Sequence, residues 1–130
     1  MPSLFLPSTA DAAALAAEFV RHAAKRSGLP LPDAERAAMA AAEAVANAAE
    51  HGNGFDASRV VSVEWQDAPG GGQLVVADEG PGPSQARIVA AELPDATATR
   101  GRGLYLLRTL ADEVRCAAGA LRMTFRPGRR

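Results

Sequence analysis

Between Leu121 and Arg126 the chain alternates strictly: Leu121, Met123 and Phe125 are apolar, whereas Arg122, Thr124 and Arg126 are polar or charged. Successive side chains of a strand point to opposite faces, so this segment has one dry face and one charged face. Val61, Val63 and Trp65, set against Val60, Ser62 and Glu64, repeat the rule. A sheet of such strands is covered on one side only and is mostly antiparallel. The helical stretches are rich in alanine, whose small side chain lets helices approach closely. The expected fold class is therefore α+β: a two-layer α/β sandwich with a mixed, mostly antiparallel sheet and helices on one face. This pattern does not choose among the α+β sandwiches.

The other elements are read from local signals. Leu4-Phe5-Leu6 reads as a first strand. Ser8-Thr-Ala-Asp11 fits a capping box, and the helix it opens runs to about Arg26 with Ala12, Leu15, Phe19 and Ala23 on one face. Gly28-Leu-Pro30 ends it. Pro32-Asp33 opens a second helix that runs to about His51, where Gly52-Asn53-Gly54 stops it. Gly70-Gly71-Gly72 reads as a hairpin turn, with Leu74 to Ala77 as the return strand. Residues 84–92 read as a short helix and 93–100 as a loop. Gly103 to about Asp112 reads as a helix, followed by a hairpin turning at Gly119. Trp65 is expected in the core and His22 in solvent.

The 130 residues suffice for one compact domain, expected to span 1–130. Net charge is −1, which argues against a general nucleic-acid binder. The charge is uneven: residues 1–83 carry five basic and eleven acidic side chains, and residues 84–130 nine basic and four acidic. The basic second half suits phosphates or an acidic partner, or is a set of solvated arginines. Cys116 is the single cysteine, which excludes an internal disulfide and fits a cytoplasmic protein, and its apolar surroundings make it a small hydrophobe. The start lacks a basic, apolar leader, and no stretch is long and apolar enough to span a bilayer.

Three segments carry chemistry. Glu43, Asn47 and His51 are spaced four apart, so on a helix they line one stripe beside apolar Ala40, Ala44, Val45 and Ala48. Such a stripe lines a cleft or is a solvated face. Asp78 follows the apolar run Leu74-Val-Val-Ala77, and Gly80 and Gly82 come after it. A carboxylate at a strand end can accept a hydrogen bond from the exocyclic amine of adenine, and glycines let backbone approach a ligand. The same residues also make an ordinary turn. Arg100-Gly101-Arg102-Gly103-Leu104 precedes a helix, whose first amides attract phosphate. No Gly-Lys-Ser/Thr comes after it, so this is not a P-loop. The set suits a pocket for a purine nucleotide, its phosphates and a metal ion.

These segments, in this order, resemble the asparagine box and two glycine boxes of the GHKL-type ATPases, the superfamily of histidine kinases and gyrase. Within it the chain is most similar to the small bacterial anti-sigma factor serine kinases, over about Ser8 to Phe125. The resemblance implies the Bergerat, histidine-kinase-like ATPase fold and the cofactors ATP or ADP and Mg²⁺. It makes Asn47 the Mg²⁺ ligand, Glu43 the general base and Asp78 the adenine contact. Gly80, Gly82, Arg100, Gly101, Arg102, Gly103 and Leu104 then bind nucleotide, and His51 serves the helix end rather than accepting phosphate. The interval from Gly82 to Gly101 matches a short lid, with Pro81 and Pro83 stiffening its entry. The implied activity is phosphorylation of a serine or threonine on a small antagonist protein, with a sigma factor as second partner and a homodimer as the assembly. Two rivals are a nucleotide-regulated binding module without turnover and a detached histidine-kinase ATPase domain.

Overall fold

A computed structural model describes residues 2–79, 102–117 and 119–128. The expectations for residues 84–92 and 93–100, for Pro81 and Pro83, and for the lid lie outside these residues. Strands β1 (Ser3–Pro7), β2 (Val60–Ala68), β3 (Gly71–Ala77), β4 (Glu113–Ala117) and β5 (Ala120–Phe125) form one sheet in the order β1-β2-β3-β5-β4. Every pairing between them is antiparallel. Helices α1 (Ala12–Arg26), α2 (Leu31–Asn47) and α3 (Arg102–Leu110) complete the described fold, and α2 runs directly into a π turn at Ala48–Gly52.

The alternation read from sequence becomes continuous apolar rows. Leu4, Val63, Val76, Leu121 and Cys116 are register partners across all five strands, and Trp65, Leu74, Met123 and Val114 form the next row. The opposite face carries Glu64, Arg122 and Arg115 in one row and Gln66, Gln73, Thr124 and Glu113 in another. The helices cover the apolar face, and one continuous core joins both layers. Each fully buried leucine or phenylalanine there contributes roughly 1.5–3 kcal/mol. Trp65 is in this core, as expected, its ring tilted 30° to Phe125 at 6.3 Å between centroids. A Cβ at Gly72 would lie 2.1 Å from the Trp65 ring, so the indole rests on bare backbone. Cys116 is half-buried against the core.

Three local expectations are corrected. The capping box does not form: Asp11 is the N-cap of α1 but makes no side-chain cap bond. Ser8 is fully buried and its hydroxyl donates to the Arg59 carbonyl at 2.8 Å instead. The buried face of α1 is Ala12, Ala16, Val20, Ala23 and Ala24, whereas Leu15 is 54% exposed. Close packing of α1 on α2 favours the alanine seam over the larger side chain. The hairpin turns at Pro69-Gly70, with Gly70 at φ 73°, and Gly71 and Gly72 already belong to β3.

A polar latch, not expressed in any motif, closes the far end of α2. Asp33 is 1% exposed in the first turn of α2. Its carboxylate accepts from Arg36 Nη2 at 3.0 Å and from the Gly128 amide at 3.2 Å. Arg36 also donates to the carbonyls of Leu110 and Arg126, and its guanidinium lies 5.6 Å from the Phe125 ring centroid. Removing one partner of a buried ion pair strands the other charge in a poorly solvated place. Arg36→Ala is therefore expected to cost about 3–5 kcal/mol. Urea unfolding of the variant beside the wild type measures it, and a loss below about 1 kcal/mol contradicts the latch.

Candidate functional site

Glu43 and Asn47 sit one turn apart on α2, both half-buried, beside a seam in which Ala40, Ala41, Ala44 and Val45 are buried. The stripe is thus a real boundary between core and surface. It ends at Asn47. From Ala48 the helix widens to a π turn, in which the Asn53 amide donates to the Ala48 carbonyl five residues back at 2.9 Å. The wider turn swings the next residues around the axis, and His51 is exposed, with Nε2 3.7 Å from the Glu50 carboxylate. The helix end is held by backbone bonds and by Asn53 rather than by His51. Gly54 and Phe55 then take left-handed conformations, φ 60° and 55°, to turn the chain toward β2. For Phe55 this is a strained backbone state.

The π turn delivers Gly52 to the end of β3. A Cβ added at Gly52 would lie 2.0 Å from Asp78 Oδ2 and 2.3 Å from Asp78 Cγ. The carboxylate therefore occupies the space that any other residue at 52 would fill. This contact joins the helix bearing Glu43 and Asn47 to the strand end bearing Asp78, segments distant in sequence.

Asn53 braces the junction. It is 4% exposed, and its Nδ2 donates to Ser8 Oγ at 2.8 Å and to the Val60 carbonyl at 3.2 Å. Its Oδ1 accepts from the Glu79 amide at 3.0 Å. Nearby, the Asp56 carboxyl is held below its ordinary range by hydrogen bonds from the Ser58 hydroxyl and amide. Sequence reasoning misses Gly52, Asn53 and Glu79 as site residues. Gly-Asn-Gly looks like plain turn chemistry, and its one usable signal is an asparagine directly after a helix that carries a polar stripe.

Helix α3 closes the other flank. The Leu110 carbonyl meets Arg36, and Leu106 lines an open, apolar depression of about 350 Å³ with Met39, Ala42 and Glu43. These two anchors run α3 antiparallel along α2, with its start toward the Asn47 end. Arg102, Gly103 and Leu104 form the first turn of α3, so Gly103 lies inside the helix rather than before it. The N-terminal amides of a helix carry partial positive charge and suit phosphate. Gly80, Gly82, Arg100 and Gly101 lie outside the described residues.

The donor set fits a magnesium nucleotide. Among the described residues, no three His, Cys, Asp or Glu side chains gather into a metal cage. Mg²⁺ needs none, because it keeps several waters and takes few protein oxygens beside phosphate. Asn47 offers such an oxygen, and Asp78 lies in a cradle open only because residue 52 has no side chain.

A family model described as the histidine kinase-like ATPase domain matches residues 6–125. The chain belongs to that family. No curated protein matches it in sequence. The five-stranded antiparallel sheet with its helices is consistent with the family's fold, and an ATPase-domain family brings ATP binding with it. Among the described residues, no helix is long and apolar enough to cross a membrane.

The Gly52–Asp78 approach gives a direct test. In Gly52→Ala the new methyl meets the far end of a short side chain, which can swing away at small cost to the fold. The carboxylate then leaves its place. ATP affinity is expected to fall at least about tenfold while the melting temperature changes by only a few degrees. Calorimetric titration together with thermal unfolding checks both.

Proposed function

We propose that this chain is an ATP- and Mg²⁺-dependent serine/threonine protein kinase of the anti-sigma type. The observation that carries the reading is the meeting of Asp78 with the end of the helix that bears Glu43 and Asn47. The reading takes Asp78 as the base-recognition group, Asn47 as the metal ligand and Glu43 as the proton acceptor, the last two one turn apart on α2. The substrate is a serine or threonine hydroxyl on a small antagonist protein, and the second partner is a sigma factor held by the unphosphorylated complex. The active assembly is a homodimer. These partners rest on the likeness to the anti-sigma kinases, and the basic second half of the chain suits an acidic one.

Each residue has a part. The Asp78 carboxylate accepts a hydrogen bond from the adenine amine. Asn47 supplies an amide oxygen to Mg²⁺, which when bound neutralises phosphate charge. The first amides of α3 would meet the phosphates, and the likeness to the family gives nucleotide binding to Arg100, Gly101, Arg102, Gly103, Leu104, Gly80 and Gly82. Glu43 takes the proton of the acceptor hydroxyl as its oxygen bonds to the γ-phosphorus. The bond from that phosphorus to the β–γ bridging oxygen breaks, and ADP leaves with the electron pair. The apolar depression beside Glu43, lined by Met39 and Leu106, is where a peptide flanking the acceptor would rest.

Glu43→Ala is expected to slow phosphoryl transfer to a cognate antagonist by about a hundredfold or more, the usual worth of a general base. ATP affinity should stay within about threefold, since the group acts on the acceptor. Asn47→Ala should remove the dependence of ATP binding on Mg²⁺ in calorimetry. Unchanged transfer by Glu43→Ala contradicts the assignment. The phosphate on the product should survive acid; an acid-labile product would mean a histidine acceptor instead.

A further inference from the structure

The backbone leaves the sheet at Ala77, the last residue of β3 to pair with both β2 and β5. Asp78 and Glu79, the described residues beyond it, follow the end of both ladders. A carboxylate that must recognise a nucleobase there has to be fixed to within about 0.5 Å, and the chain on either side of it contributes to that.

Glu79, the residue after Asp78, is held at two points. Its amide donates to Asn53 Oδ1 at 3.0 Å, and its carboxylate accepts from the Val60 amide at 2.5 Å. Asn53 is itself fixed, because its Nδ2 is committed to Ser8 Oγ and the Val60 carbonyl in a buried setting. Asp78 thus lies between a residue paired in the sheet and a residue tied to the start of β2. Behind it is Gly52, the residue next to Asn53. We propose that Asn53 and Glu79 act as a two-point clamp that positions Asp78 and thereby sets how strongly the site prefers adenine over a purine lacking its exocyclic amine. This rests on the nucleotide reading above. Neither residue touches nucleotide in the proposal; both are positioning residues.

The test is the ratio of affinities for ATP and inosine triphosphate, in which a carbonyl replaces the amine, measured on the full chain by calorimetry. Wild type should prefer ATP, and Asp78→Asn should abolish the preference. Asn53→Ala and Glu79→Ala should each lower the ratio, Asn53→Ala by about tenfold, because a misplaced acceptor no longer rewards the amine. Arg36→Ala, remote from the clamp, lowers stability and should leave the ratio unchanged, which separates positioning from general loosening. Glu79 is exposed, so its variant decides the matter if Asn53→Ala fails to fold. If Asn53→Ala and Glu79→Ala keep the wild-type ratio while Asp78→Asn destroys it, the clamp is overturned and the nucleotide reading stands. If wild type shows no preference for ATP, or Asp78→Asn retains it, the adenine role of Asp78 falls and the clamp with it.

Discussion

The close approach of α2 to its neighbours is the constraint on which the rest of the molecule depends. Its buried side is almost entirely alanine, with Ala34, Ala37, Ala38, Ala40, Ala41 and Ala44 sealed from solvent. Alanine gives up little side-chain entropy in a helix and keeps the axis near whatever it packs on. The helix therefore lies against α1 on one flank and α3 on the other, and against the sheet beneath. A leucine at any of these positions would push the layers apart. It would also lift Glu43 and Asn47 away from the strand end that carries Asp78.

Much of the fold is legible in the sequence because it rests on period. Alternation in β2 and β5 marks the dry face, and the register rows complete it. Less legible is local polarity put to a non-local use. Ser8 has the form of a cap, yet its hydroxyl serves the Arg59 carbonyl and accepts from Asn53, because an unpaired buried polar group costs more than a lost cap. Leu15 has the size of a seam residue, whereas the seam selects for smallness.

The site divides along the same line. In the candidate site, Glu43, Asn47 and Asp78 stand out by their spacing and by the segments around them. Gly52, Asn53 and Glu79 are hidden because their roles depend on the π turn, which no residue pattern announces. A π turn is uncommon, and here it sets which residue comes to rest under the Asp78 carboxylate. An ordinary α-helical turn would bring a different Cα to that spot, and that residue would have to lack a side chain instead.

The latch at Asp33 ties the first turn of α2 to Gly128, 95 residues later in the chain. On the ribosome, α1 and α2 emerge long before that amide exists. At about 5–20 residues per second the buried carboxylate waits several seconds for its last partner. Until then, the end of α2 farthest from Asn47 can be neither fully satisfied nor fully dry. The first turn of α2 thus reaches its final packing only once residue 128 has been made, so a helix built early in this domain is completed late.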